Sequence, residues 1–164
     1  MRKLFILLGV IVISCNTENN KEKIILTTGI SMNPDEPRIG IEINKDSLYY
    51  CEEINSKKGH YRYYKAKINS EVFFSLKQDI QNNFKEVFKD DEIADGTPYQ
   101  LNIKFDSNSN NFKFYLNNLN SMQLKIIKRI KNVKADKLVK IKDHDFPKEL
   151  LLEKLPEPPL IPVK

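Results

Sequence analysis

The chain has 164 residues, with 27 basic and 22 acidic side chains and a net charge of +5. This length suits one domain with a single hydrophobic core. Since Arg2 and Lys3 lie in a predicted signal segment, the rest of the chain carries only about +3. That charge is small for a nucleic-acid-binding protein, so we expect no nucleic-acid partner.

The first fifteen residues predict export and attachment to a lipid. Arg2 and Lys3 precede an apolar run over residues 4–13, which ends at Ser14 and Cys15. A basic start, an apolar run and a small residue before the cleavage point are typical of a secretory signal. The sequence Val12-Ile13-Ser14-Cys15 resembles a lipobox, the bacterial lipoprotein signal whose cysteine receives a diacylglyceryl group and becomes the mature N-terminus.

Two alternatives to lipidation are a membrane-spanning helix and a cleaved signal with a chance cysteine. Ten helical residues rise about 15 Å, which is half of a bilayer core, so a span is not expected. Two or three acyl chains hold a protein stably at a membrane. We therefore predict a signal peptide over 1–14, and a lipidated Cys15 with a polar tether over 15–23. The protein is expected in the bacterial cell envelope, on the outer-membrane or periplasmic side.

The middle of the chain alternates apolar and polar residues, which is typical of β-strands. The predicted strands cover residues 24–30, 38–43, 47–54, 60–68, 99–105 and 112–116. The last two are expected to form a hairpin that is apolar on one face. Residues 55–59 and 106–111 are expected to be loops.

Two segments change to a helical period of 3.6 residues. Asn69 is the predicted N-cap of the first helix, whose apolar stripe consists of Val72, Phe73, Leu76, Ile80 and Phe84. Asn120 and Gln123 predict a capping box for the second helix, which would bury Leu124, Ile127 and Ile130. Beyond it, residues 137–142 could add a short edge strand, and Pro147 could start a brief helix.

These elements predict an α+β fold with two layers. A largely antiparallel sheet of about six strands would carry two amphipathic helices on one face, in the chain order ββββαββα. Residues 24–142 would form this single domain, followed by a short helix and a proline-rich tail over 143–164. The other sheet face would be open unless the tail covers it.

The layout is similar to that of a domain of unknown function found in exported Gram-negative lipoproteins. The resemblance rests on Leu48-Tyr49-Tyr50, on Gly59-His60-Tyr61-Arg62-Tyr63, on the Phe/Leu-rich helix, and on the late hairpin followed by a helix. It covers roughly residues 24–134. Because that family has no known activity, the resemblance implies the fold alone.

The sequence gives no positive reason to expect catalysis, a cofactor or a metal. It lacks the Gly-x-Ser-x-Gly, P-loop, His-Glu-x-x-His and Cys-x-x-Cys motifs. One enzymatic alternative is a thiol-dependent hydrolase, in which Cys51 and His60 would be cross-strand neighbours. Asp143-His144-Asp145 offers possible metal ligands, but neighbouring residues on an extended segment point to opposite sides, so we expect a solvated loop there.

Tyrosines are the candidates for partner binding. Tyr49, Tyr61, Tyr63 and Tyr115 could stack on sugar rings or anchor a protein if they are exposed on the sheet. The alternative is that aromatic cross-strand pairs only stabilise the sheet.

The second predicted helix has a strongly basic face. Lys125, Lys128, Arg129 and Lys131 could rest on anionic lipid headgroups. They could equally form a solvated face that the acidic segment 86–95 balances.

These patterns together predict a lipid-anchored, non-catalytic domain that binds an envelope protein or a glycan. The alternatives are the Cys51 hydrolase and an immunity-type or structural lipoprotein.

Overall fold

The computed structural model describes residues 22–33, 35–85 and 96–154. The predicted signal, Cys15, most of the tether, the acidic segment 86–95 and the proline-rich tail after residue 154 lie outside the described residues. The described elements are β1 (Lys23–Thr28), β2 (Ile39–Ile43), β3 (Ser47–Ile54), β4 (Lys57–Lys67), α1 (Ser70–Asn83), β5 (Pro98–Phe105), β6 (Asn108–Tyr115), α2 (Ser121–Lys131), β7 (Val139–Ile141) and α3 (Lys148–Leu151).

The described strands form one antiparallel sheet in the order β6-β5-β1-β2-β3-β4-β7. The α+β class is confirmed, but the count of about six strands and the chain order ending at the second helix are wrong. Within the described residues there are seven strands and three helices, because β7 pairs with Tyr63–Lys65 of β4 and α3 follows it. The possible edge strand within residues 137–142 is formed by Val139–Ile141, and the possible brief helix at Pro147 is formed by Lys148–Leu151.

Both predicted long hairpin loops are shorter than expected. The β5–β6 strands stay paired to Phe105 and Asn108, because Asp106 adopts a positive φ of 52° that Asp tolerates in a tight turn. The β3–β4 hairpin turns at Asn55 and Ser56, and β4 already begins at Lys57. The polar Asn-rich residues therefore belong to an exposed strand and not to a loop.

The first face of the sheet is covered by α1 and α2, which pack their apolar stripes on it. Asn69 caps α1 by accepting a hydrogen bond from the Glu71 N–H, as predicted. The capping box of Asn120 and Gln123 at α2 is also confirmed. No described helix is both long and apolar enough to cross a membrane.

The second face is covered by the end of the described chain, residues 142–154, here named the C-terminal strap. Its Phe146 and Leu151 are buried with Ile25 and Cys51 of the sheet. Phe146 packs directly over Gly40, where an added Cβ would lie 2.9 Å from its ring. The strap therefore covers the second face of the sheet. The sequence had left open whether the C-terminal residues cover this face.

We predict that the strap contributes measurably to folding stability. Leu151→Ala is expected to lower the free energy of unfolding by about 2 to 5 kcal/mol, because it empties a buried site. Its neighbour Leu152 is 51% exposed, so Leu152→Ala should change stability by no more than about 0.5 kcal/mol. Urea unfolding of the two variants measures both values, and equal effects would contradict the burial of Leu151.

Candidate functional site

The two ends of the sheet differ in what they carry. The chain enters at Lys23, which pairs with Lys104 beside the β5–β6 turn. At the opposite end, β1 finishes at Thr28. Here the segment before β2, the β3–β4 hairpin and the last residues of the strap come together.

These three segments enclose a cleft of about 790 Å³. This volume lies within the range of ligand-binding sites in proteins, about 300 to 1,000 Å³. We name it the distal cleft, and it is lined by Ile30, Ser31, Met32, Asn33, Glu36, Arg38, Glu53, Lys58, Gly59, Leu152, Glu153 and Lys154.

The wall of the distal cleft exposes large apolar side chains to solvent. Met32 is 72% exposed and Leu152 is 51% exposed, and both line the same space together with Ile30. Exposed apolar side chains gathered in one concave surface are typical of binding sites. Methionine suits such a surface because its unbranched, polarisable side chain adapts to different shapes.

A buried ion pair forms the base of the distal cleft. The Arg38 guanidinium donates to the Glu53 carboxylate, and both side chains are almost fully buried. Arg38 also donates to the backbone carbonyl oxygens of Glu153, at 2.9 Å, and Leu150, at 3.5 Å. The Gly59 N–H donates to Glu53 at 2.7 Å. The ion pair therefore joins β3, the start of β4 and the strap.

The pair is held in its charged form. Burial alone would raise the pKa of Glu53, but the hydrogen bonds from Arg38 and Gly59 lower it below its usual range. Burial alone would lower the pKa of Arg38, but the bond to Glu53 raises it. Both charges are therefore compensated within the chain.

We predict that removing the Glu53 charge destabilises the fold in a pH-dependent way. At pH 7, Glu53→Gln should cost about 3 to 5 kcal/mol, because it leaves a buried guanidinium uncompensated. A lowered folded-state pKa gives stability that is present above the unfolded pKa of about 4.3. This stability is lost as the pH falls through the folded value.

The difference in unfolding free energy between native protein and Glu53→Gln should therefore shrink below about pH 4. Urea titrations at several pH values measure it. Glu36 is an exposed carboxylate at the same cleft, so Glu36→Gln serves as the control with little change expected. A difference that stays constant with pH would contradict the charge pairing.

Three of the predicted binding tyrosines lie together on the second face, beneath the strap. Tyr49, Tyr61 and Tyr63 pack against the cluster of Cys51 and Phe146, and each is half-buried. The Tyr61 hydroxyl donates to the Leu151 carbonyl oxygen, and burial raises its pKa. Within the described chain, these rings hold its own C-terminal strap.

The fourth tyrosine is not brought to that cluster. Tyr115 ends β6, which is separated from β4 by four strands in the sheet order. It is half-buried beside Gly96, where an added Cβ would lie 3.2 Å from its ring. The four tyrosines therefore do not form one surface.

His144 of the predicted loop binds the sheet and is not simply solvated. Its ring stacks on Tyr49, with centroids 3.9 Å apart and an angle of 6°. Its Nε2 lies 3.3 Å from Glu42 Oε2. Burial alone would raise the pKa of Glu42, but His144 and Lys23 lower it.

Metal ligands do not gather at this point. Among residues 22–33, 35–85 and 96–154, no group of three or more His, Cys, Asp or Glu side chains could hold a metal ion. Asp143 and Asp145 are exposed, whereas His144 faces the sheet, as expected from alternation along an extended segment.

Cys51 does not form the predicted pair with His60. Cys51 is fully buried and lies opposite Tyr63 in the β3–β4 register, while His60 is exposed. The prediction that Cys51 and His60 are cross-strand neighbours is wrong, because the β3–β4 register shifts between Glu53 and Ile54. On the opposing strand β4, Gly59 has a positive φ of 78° at this irregularity. Burial raises the pKa of the Cys51 thiol to about 12, which disfavours the reactive thiolate.

We predict that Cys51 is inert in the folded protein. At pH 8 a thiol of pKa about 12 is ionised in only about one molecule in ten thousand. Iodoacetamide labelling of the Cys51 peptide, followed by mass spectrometry, should be at least a hundredfold slower without urea than in 8 M urea. Comparable rates in the two conditions would restore Cys51 as a nucleophile.

The basic residues of α2 divide into two groups. Arg129 is bound to Asp79 and Ser75 of α1, and Lys131 Nζ lies 3.4 Å from the Tyr99 hydroxyl. Lys125 and Lys128 are exposed and form no ion pair with a described residue. The structure thus leaves two of the four predicted membrane-facing side chains available.

The chain significantly matches no protein-family model, no curated protein and no solved structure. The similarity of its layout to the exported lipoprotein domain therefore stays a prediction.

Sequence reasoning missed the distal cleft. Its lining comes from segments far apart in the chain, since Met32 and Leu152 are 120 positions apart. One local signal was present, because Leu150, Leu151 and Leu152 are consecutive and cannot all face the sheet from one helical turn. The third leucine is the one that lines the cleft.

Proposed function

We propose that this protein is a lipid-anchored, non-catalytic domain of the bacterial cell envelope that binds an apolar segment of a protein partner in the distal cleft. The observation that carries the proposal is the concave apolar wall of Met32, Ile30 and Leu152. The base of the distal cleft is the ion pair of Arg38 and Glu53, whose charges compensate each other.

The charges around the distal cleft favour an uncharged occupant. Lys58 Nζ lies 3.7 Å from Glu53 Oε2. The lining as a whole carries three basic side chains, Arg38, Lys58 and Lys154, and three acidic ones, Glu36, Glu53 and Glu153. An apolar peptide segment fits a wall of aliphatic side chains and methionine between balanced charges. A glycan fits less well, because sugar binding depends on exposed aromatic faces, and Tyr49, Tyr61 and Tyr63 already pack beneath the strap.

The membrane attachment is proposed from Cys15 and the signal before it. The distal cleft lies at the end of the sheet opposite to the entry of β1, so an anchor reached through the tether leaves the cleft accessible to a partner. The alternative of a thiol-dependent hydrolase is disfavoured by the buried, protonated thiol of Cys51. No observation specifically favours the immunity-type or structural alternative.

We predict that a photocrosslinking side chain in the cleft captures the partner in the native host. p-Benzoylphenylalanine replacing Met32 should give a discrete crosslinked product in the membrane fraction. The same group replacing Leu138 is the matched control, because Leu138 is a similarly exposed apolar residue, at 45%, that does not line the cleft.

Second-site changes show whether the product depends on the cleft. Leu152→Asp should reduce crosslinking from position 32 at least tenfold, because it places a charge in the apolar wall, whereas Leu138→Asp should leave it unchanged. Crosslinking that is equal from both positions, or indifferent to Leu152→Asp, would rule out the cleft. Cys15→Ser should move the protein out of the membrane fraction if the anchor is correct.

A further inference from the structure

The helical side of the molecule carries a second concave surface, a groove between α1 and α2 of about 400 Å³. We name it the interhelical groove. Its lining combines the apolar side chains of Val72, Leu76 and Val133 with the polar and basic side chains of Lys125, Lys128, Arg129, Asn132 and Lys134.

The groove has an excess of positive charge. Lys125, Lys128 and Lys134 are exposed, and none forms an ion pair with a residue in the described part of the chain. Asp79 of α1 is bound to Arg129. Three lysines therefore lie beside apolar side chains in a lining that contains no acidic residue.

The dipoles of α1 and α2 give this groove no net preference for anions or for cations. The last turn of α2 contains Lys128 and Arg129, and lysines there offset the negative end of that helix. The first turn of α1, with its positive end, lies alongside through Val72. The opposing helix ends compensate each other, so the lysine side chains set the sign of the local charge.

The described part of the chain begins beside α1, one of the two helices that form the groove. Glu22, the first residue described, binds Lys77 of α1 and accepts a hydrogen bond from the Asp106 N–H. Lys77 is turned about 100° around α1 from Leu76, toward the flank opposite to Ser75 and Asp79, which bind Arg129 of α2. The seven residues from Cys15 to Glu22 can span at most about 25 Å, so α1 stays close to any bilayer that holds Cys15.

We propose that the interhelical groove binds an anionic phospholipid of the membrane that carries the anchor. The apolar part of the lipid lies along Val72 and Val133, and Lys125, Lys128 and Lys134 bind its phosphate. This inference rests on the membrane attachment proposed above. It orients the helical layer toward the bilayer and the distal cleft away from it.

The full lipidated chain can test this orientation in vesicles. Intact mass first establishes whether Cys15 carries lipid. The protein is then reconstituted in vesicles of phosphatidylcholine alone or with about 30% phosphatidylglycerol. Lysines are acetylated with a water-soluble N-hydroxysuccinimide ester, and the modified positions are mapped by mass spectrometry.

We expect acetylation of Lys125, Lys128 and Lys134 to slow at least fivefold in the phosphatidylglycerol vesicles. That factor corresponds to about 1 kcal/mol for each lysine near an anionic surface. Lys57 and Lys148 are exposed outside the groove and serve as internal controls with unchanged rates. Equal rates at the groove lysines in both vesicles, or the same slowing at Lys57 and Lys148, would overturn the proposal.

Two further measurements separate a lipid site from simpler explanations. Inorganic phosphate at 10 mM with neutral vesicles should not protect the groove lysines, and protection there would indicate a small-anion site in place of a lipid site. The double variant Lys125→Gln, Lys128→Gln should remove the protection of Lys134 while its thermal unfolding stays unchanged. Absence of lipid on Cys15 refutes the anchor, whereas a lipidated protein without protection refutes the groove alone.

Discussion

The structure depends on covering both faces of one antiparallel sheet. Apolar side chains point to each face, so leaving either face in water would forfeit their burial, at about 25 cal/mol for each Å² of apolar surface. The helices cover the first face, where Ile24 and Leu26 are fully buried. The second face, with Ile25 and Cys51, is covered by Phe146 and Leu151 of the strap.

The strap in turn decides what the second face can do. Gly40 lets the Phe146 ring approach the strands, and the tyrosines pack around it. Rings that would otherwise be open to a partner become internal contacts. Arg38 then binds the carbonyl oxygens of Leu150 and Glu153, which places Leu152 at the distal cleft. The strap therefore both covers the second face and forms one wall of the distal cleft.

The molecule therefore presents two concave surfaces of different chemistry. The distal cleft is apolar with balanced charges at its rim, whereas the interhelical groove is apolar with a basic rim. We propose an apolar protein segment as the occupant of the first and an anionic lipid as the occupant of the second. We infer that a tethered domain of this kind rests its helices on the bilayer and offers the opposite end to a partner.

The sequence by itself determined the local elements, because strand alternation and the caps at Asn69 and Asn120 are properties of neighbouring residues. Tertiary structure alone decided that β7 pairs with β4, that Cys51 lies opposite Tyr63, and that Leu152 meets Met32 across a cleft. Those contacts join separate segments of the chain. They form because both faces of the sheet bury apolar side chains, and a local sequence pattern does not show which segments cover them.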